Sequence, residues 1–404
     1  MITELWNPRK QISPSELLAN LSEECKKLEV DKCDVYGDFA LSPEQSYLRK
    51  FEEEISNTFY KEDALFLPSG VMAQQIALHI HYQNAINIKG IENVDRSFIC
   101  HYSSHLLLHE NDTCSHLLNM KPLIIQADSN NKLQQPISYT NILNKLQEYN
   151  YKVFCIIIEC PHREIGGKCT SFQELQQISQ FCRSHHIALH MDGARLWEAL
   201  AYYTTTINPL TNENVTISDL CNLFNSIYVS CYKGIGGITG AVLLGDADFM
   251  IQARIWLRRY GGNVYTLLPY AVSSYAAYRN YNNLSASNNT LPIPYSMKSR
   301  LIRLKEIIAV LSNNTLLQEY IYFDPPIPQI CLIHVYIKTT IEKARIAHNK
   351  SRSSCGIGCF AVLRQRELYP EECYFEFNLG MVNGVIPNEI WVEGWTAFVK
   401  ALLE

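Results

Sequence analysis

The chain lacks any uninterrupted apolar run approaching the ~20 residues that a membrane helix needs. Its opening, Met-Ile-Thr-Glu-Leu-Trp-Asn-Pro-Arg-Lys, has no apolar core of a secretory signal. The expectation is a cytoplasmic protein with no membrane partner. Fourteen cysteines are scattered with no CxxC pair and no compact Cys/His cluster of zinc spacing, which argues against metal ribbons and disulfide scaffolds. Cys355 and Cys359 come nearest to such a pair, and the thiols are read as reduced. Runs of Lys and Arg are also missing: 35 basic residues face 40 acidic ones, the net charge is −5, and Arg258-Arg259 is only a short pair. Without a phosphate-tracking stripe, nucleic acid is not an expected partner. No internal repeat is present.

What remains is an ordinary globular composition, 47% hydrophobic and 19% charged, over 404 residues. That length exceeds the size at which single cores stop growing, which predicts one large and one smaller domain. Residues 1–40 read as an amino-terminal segment packing on the large domain, 41–285 as the large domain and 286–404 as the small one. The hinge is placed in the polar stretch Asn282–Asn289, followed by Pro292 and Pro294.

Within the large domain, residues 42–60 read as a helix capped by Ser42, with Pro43 in its first turn and Gln45 completing a capping box. Leu48, Phe51, Ile55 and Phe59 give its buried face. Leu65-Phe66-Leu67 runs into Pro68-Ser69-Gly70, and a second helical pattern begins near Val71. Short apolar runs then alternate with helical patterns: 98–100, 123–125, 153–158, 187–189, 227–229 and 241–244. A helix capped at Ser171 lies between two of them, with Leu175, Ile178 and Phe181 as its inner stripe. Continuous apolar strands separated by helices predict an α/β domain, a mostly parallel sheet covered on both faces. The small C-terminal domain reads as α+β, with a helix near 296–311, strands at 330–337 and 374–379, and a terminal helix from Pro387.

Two of the predicted strands end in chemistry. One leads into His-Met-Asp-Gly-Ala-Arg (190–195), the other into Ser-Cys-Tyr-Lys-Gly-Ile-Gly-Gly-Ile-Thr-Gly (230–240). Ligands of such sheets sit beyond the strands' carboxyl ends. An amine, a carboxylate and a guanidinium there are what pyridoxal phosphate (PLP) needs: Lys233 for a Schiff base, Asp192 for the ring nitrogen, Arg195 for the ring hydroxyl or a substrate carboxylate. Ser69, Gly70 and Val71 open a helix, where free N–H groups and the dipole suit the phosphate. His105, with Glu110 five residues on, can stack on the cofactor and move a proton near neutral pH. Gly234-x-Gly236 does not fit a dinucleotide turn, because the third glycine is adjacent and no acidic residue follows at the required distance. No metal is expected.

These segments resemble the threonine aldolase / β-eliminating lyase family of fold-type-I PLP-dependent enzymes. The resemblance is carried by Asp34-Val35-Tyr36-Gly37-Asp38, the stretch FLPSGVMAQ (66–74), His105 with Glu110, and HMDGARLWEA (190–199). Glu164-Ile165-Gly166-Gly167, YKGIGGITGAVLLG (232–245) and Arg259-Tyr260-Gly261-Gly262 complete it, so residues 34–270 match well and the remainder loosely. It implies a transferase-like fold with PLP carried on Lys233, Asp192 and Arg195 holding it, His105 stacked on it, and Ser69, Gly70 and Val71 binding phosphate. It also implies retro-aldol cleavage of a β-hydroxy-α-amino acid to glycine and an aldehyde, by a homodimer or homotetramer with sites at subunit interfaces.

The chain departs from the family pattern in three places. An amino-terminal Ser-Asp-Thr-Val-Thr segment is not recognisable, Val71 stands where a threonine is usual, and the carboxylate-clamping arginine has only Arg364 and Arg366 near its expected position. Cofactor binding survives these changes; substrate identity is left open. β-Elimination or transamination on the same cofactor, and a catalytically silent PLP-fold binding protein, remain as alternatives.

Overall fold

The computed structural model describes residues 2–34, 44–126, 133–286, 296–366 and 368–404. The chain divides into two compact units. The larger comprises Ser13–Glu164 and Cys169–Asn282; the smaller comprises residues 2–12, Ile165–Lys168 and Asn283–Glu404. Residues 2–12 therefore group with the smaller unit, where the sequence reading set them against the larger one. The cause is a non-local pairing: Thr3–Glu4 runs parallel to Ile357–Gly358.

The larger unit is built on a seven-stranded sheet. In spatial order its strands are Asp63–Leu67, Ala241–Gly245, Ser226–Ser230, Ala188–Gly193, Cys155–Glu159, Ser97–His101 and Lys121–Ile125. Ala241–Gly245 runs antiparallel to both its neighbours, and every other pair is parallel. The four strands at 97–101, 155–159, 226–230 and 241–245 are buried at every residue. That is why their sequences read as continuous apolar runs rather than alternating ones.

Helix Gly70–Lys89 lies against this sheet on more than one side. Ala73, Ile76, Ala77 and Ile80 pack with Leu65, Leu67 and Leu243. Leu78, Tyr82 and Ala85 pack with Phe98, Phe154 and Ile157. Each fully buried Leu or Ile there contributes about 1.5–3 kcal/mol. The first helix of the predicted series begins later than expected. It spans Tyr47–Thr58, and its cap is Ser46, whose oxygen accepts from Arg49 N at 3.0 Å. Ser42 and Pro43 lie outside the described residues, as do Val35–Asp38, Pro292 and Pro294. The expected inner face holds: Leu48, Phe51, Ile55 and Phe59 are all buried. In helix Phe172–Ser184, Ser171 caps as expected, but the third inward residue is Cys182, while Phe181 stacks on His185 with centroids 3.9 Å apart.

The smaller unit carries a four-stranded antiparallel sheet ordered Arg364–Gln365, Cys373–Asn378, Leu332–Ile337, Ile321–Asp324. Helices Met297–Ser312 and Asn388–Leu403 cover it. Their apolar faces, including Ile307, Ile308, Trp391, Trp395 and Phe398, close on Phe375 and Phe377.

Candidate active site

Five strands of the large sheet deliver polar groups at their carboxyl ends. Strand Asp63–Leu67 leads into Ser69, the N-cap of helix Gly70–Lys89, in extended conformation (φ −145°, ψ 141°). Gly70 at the first helical position is required by its neighbour: a Cβ built there would overlap the hydroxyl and ring of Tyr228. The helix start can sit this close to the sheet only without a side chain. Its first backbone N–H groups have no partner within the helix and carry the positive dipole end.

Lys233 follows strand Ser226–Ser230 in a tight turn where Gly237 N donates to Cys231 O at 2.8 Å. Gly240 closes the turn at φ +101°, and a Cβ on it would meet the Phe66 ring at 2.5 Å. The Lys233 ammonium lies 5.6 Å from the centroid of the Tyr232 ring.

Asp192 ends strand Ala188–Gly193 and is buried. Its Oδ2 accepts from Gln74 Nε2 at 2.6 Å and its Oδ1 from Ala194 N at 3.1 Å. Burial, reinforced by the negative Glu159, raises its pKa to about 7, against the pull of His105 and Lys233. Glu159 is held by two backbone donors, His105 N at 3.2 Å and Arg163 N at 3.1 Å.

His105 starts a short helix after strand Ser97–His101, and its Nδ1 lies 3.1 Å from Glu110 Oε1. That hydrogen bond is the main cause of a raised pKa; burial opposes it, and Asp192 adds to it while Lys233 subtracts.

These groups surround one cavity of about 180 Å³. It brings together Ser69, Gly70, Val71, His105, Asp192 and Lys233, six of the seven residues singled out in the sequence. Arg195 is the seventh. It follows Ala194 but does not line the cavity, and its Nη1 pairs with Glu198 Oε1 at 2.8 Å. The i, i+3 spacing of Arg195 and Glu198 on one helical turn was the signal for that pairing. Three participants were not foreseen. Tyr228 read as a strand interior residue, Gln74 as a helix position, and Glu159 as the end of an apolar run; all three are buried beside the cavity groups. No described group of three or more His, Cys, Asp or Glu is arranged to hold a metal ion.

Known proteins share this arrangement of sheet and sequence. The chain is 26% identical over 261 residues to a low-specificity L-threonine aldolase from Candida albicans, an alignment covering 63% of each chain. It is similar to the crystal structure of an assigned L-allo-threonine aldolase from Listeria monocytogenes: TM-score 0.78 and 28% identity, over 99% of this chain and 96% of that one. A threonine aldolase from Leishmania major matches at TM-score 0.65 over 99% of both chains, and at 16% identity that likeness is one of fold. The fold is that of the type-I PLP-dependent enzymes, a large mostly parallel sheet with a smaller antiparallel unit. The model of the beta-eliminating lyase family matches residues 19–304, well over half of the sequence and the whole of the stretch that builds the cavity. The chain belongs to the beta-eliminating lyase family.

Proposed function

We propose that the chain is a PLP-dependent carbon–carbon lyase that cleaves the Cα–Cβ bond of a β-hydroxy-α-amino acid, giving glycine and an aldehyde. The observation that carries this reading is the convergence of Lys233, Asp192 and the helix start at Gly70 on one cavity. The similarity to proteins named as L-threonine and L-allo-threonine aldolases supports the choice of reaction.

The residues fit the cofactor. Ser69, Gly70 and Val71 line the cavity at a helix start, whose backbone N–H groups suit a phosphate. Asp192 is a buried carboxylate whose protein partners are neutral N–H donors, Gln74 and Ala194, so a cation at the cavity would complete it. Glu110 Oε2 is buried with no hydrogen-bond partner among the described residues, an acceptor left in the cavity wall.

When bound, PLP supplies an aldehyde that takes up amines covalently and a ring that accepts the electron pair released at Cα. Lys233 would hold the aldehyde in the resting enzyme and take it back after turnover. Ser69, Gly70 and Val71 would bind the phosphate, chiefly through backbone N–H, since Val71 has no hydroxyl. Asp192 would keep a proton on the ring nitrogen. Arg195 would reach the ring hydroxyl by turning from Glu198. His105 would cover the ring face; Glu110 retains its proton at Nδ1, leaving Nε2 as the position that exchanges protons with substrate. The β-hydroxyl loses its proton as the Cα–Cβ bond breaks, and Cα gains one before glycine leaves.

The assembly that goes with this reading is a cytoplasmic homodimer or homotetramer acting on a free amino acid. None of the fourteen cysteines, all among the described residues, is in a disulfide. Among the described residues no helix is long and apolar enough to cross a membrane. Helix Pro14–Lys27 buries none of its residues, leaving a face for a second copy, which sedimentation velocity tests.

The test of the reaction is product analysis with L-threonine, L-allo-threonine and phenylserine. Glycine and the matching aldehyde in equal amounts support the lyase. An α-keto acid with ammonia would replace it with β-elimination.

A further inference from the structure

Behind Asp192, four side chains continue away from the cavity in a single file. Gln74 Nε2 donates to Asp192 Oδ2 at 2.6 Å, and Gln74 Oε1 lies 2.7 Å from His190 Nε2. His190 Nδ1 lies 2.7 Å from Ser226 Oγ, and Ser226 Oγ lies 2.6 Å from His81 Nε2. All five residues are buried. His81 borders a second cavity, of about 310 Å³, away from the first.

The donor inventory of these groups gives the chain two fully bonded directions. An ionised Asp192 only accepts, so the Gln74 amide must face it with its NH2 and turn its oxygen to His190. His190 must then carry its proton on Nε2, which makes Nδ1 an acceptor for the Ser226 hydroxyl. With its one proton spent, Ser226 can only accept from His81, which is therefore also protonated on Nε2. Every bond in this state points toward the carboxylate. Protonating Asp192 at Oδ2, the oxygen that faces Gln74, reverses the file; Oδ1 stays the acceptor of Ala194 N–H. The carboxyl O–H donates to Gln74 Oε1, the amide donates to His190 Nε2, and His190, now protonated on Nδ1, donates to Ser226, which donates to His81.

We propose that Gln74, His190, Ser226 and His81 form a reversible hydrogen-bond chain that positions Asp192 and follows its protonation state. The assignment of Asp192 as the partner of the ring nitrogen rests on the function proposed above; the chain itself does not. Burial holds both histidines far below their usual range, to about 3, so near neutrality they change tautomer without changing charge. The charged or titratable groups facing Asp192 are Glu159, His105, Lys233, Tyr228 and Cys160. His190 and His81 face one another, and the Phe249 ring lies 4.9 Å from the His81 ring. Gln74 and His190 are thus positioning residues: they touch no reacting atom but fix the orientation of Asp192, which faces the cavity.

The test is nitrogen-15 NMR of the two imidazoles in the whole purified chain, as a pH series with and without added PLP. Expected at high pH is the Nε2–H tautomer for both rings. As the pH falls through the Asp192 titration, the protonated and unprotonated nitrogen signals of His190 and His81 should exchange places at one shared midpoint. Ser226→Ala cuts the file between the rings, so His190 should still follow Asp192 while His81 loses its response. In Asp192→Asn neither ring should titrate in this window. PLP, where it binds, should hold both rings in the high-pH form. Independent midpoints, or an unchanged His81 response in Ser226→Ala, would overturn the chain. If PLP fails to bind while the shared midpoint persists, the proposed function is wrong and the chain stands.

Discussion

Glu159 and Asp192 stand opposite one another on adjacent parallel strands, in register at the carboxyl end of the sheet. Both are buried, yet they are held differently: Glu159 by two backbone N–H groups, Asp192 by one backbone N–H and the Gln74 amide. The repulsion between them is part of what raises Asp192 to about 7. A cationic ring nitrogen against Asp192 would relieve that repulsion, so the pair favours a bound cation.

Glu159→Gln removes the neighbouring charge and should lower the Asp192 midpoint by roughly one pH unit, equivalent to about 1.4 kcal/mol. The midpoint can be read from the pH dependence of PLP affinity. An unmoved midpoint would mean that burial alone sets it.

Gly70→Ala drives a methyl into the Tyr228 hydroxyl, so the helix start must shift. Overpacking of this kind costs about 1–3 kcal/mol. PLP affinity should fall, and Tyr228→Phe in the same chain should recover part of it. Equal affinity in Gly70→Ala would show that the helix start does not hold the phosphate.

Glu110→Gln removes the main support of the raised His105 pKa. The imidazole should then titrate at lower pH, shifting the corresponding limb of the kcat profile to the acid side. Activity should drop without a matching loss of thermal stability. An unshifted profile would remove His105 from the proton-transfer step.

The buried histidines make the fold acid-sensitive. His81, His101 and His190 are each lowered to about 3 by burial, so the folded state keeps them neutral where the unfolded chain protonates them. Their contribution is present above pH ~6.5 and is lost as pH falls toward the folded values, at up to about 1.4 kcal/mol per pH unit for each ring. Asp192 acts in the opposite sense: its raised pKa favours the fold at low pH, and that part is lost between about pH 4 and 7. With His79 and His348 also lowered, five rings outweigh the raised Asp192, His105, Glu52 and Asp324, so the Tm of the cofactor-free protein should fall from pH 7 to 5. A flat Tm over that range would contradict the assignment of neutral buried imidazoles.

The sheet was legible because strands buried on both faces carry no polar interruptions, as Cys155–Glu159 illustrates up to its last residue. Lys233 and Asp192 were legible because each follows such a run, and glycine marks the turn where the chain passes close to its neighbours. Gln74 was not: in a helix that also carries Gln75, Gln83, Asn84 and Asn87, an amide looks like an exposed position until the sheet covers it. The role of Gly70 depends on Tyr228, which is 158 positions away in the chain, and no local pattern records that meeting. The pairing of residues 3–4 with 357–358 is non-local in the same way. Arg195 carries a contact that the motif did not announce, an ion pair with Glu198 three residues on.

The central claim is a covalent bond between Lys233 and PLP. Purified protein should be incubated with PLP, reduced with borohydride, digested and analysed by mass spectrometry. The account predicts a phosphopyridoxyl group on the peptide containing Lys233, and its disappearance in Lys233→Ala. A label on other lysines alone, or none after reconstitution, would contradict it.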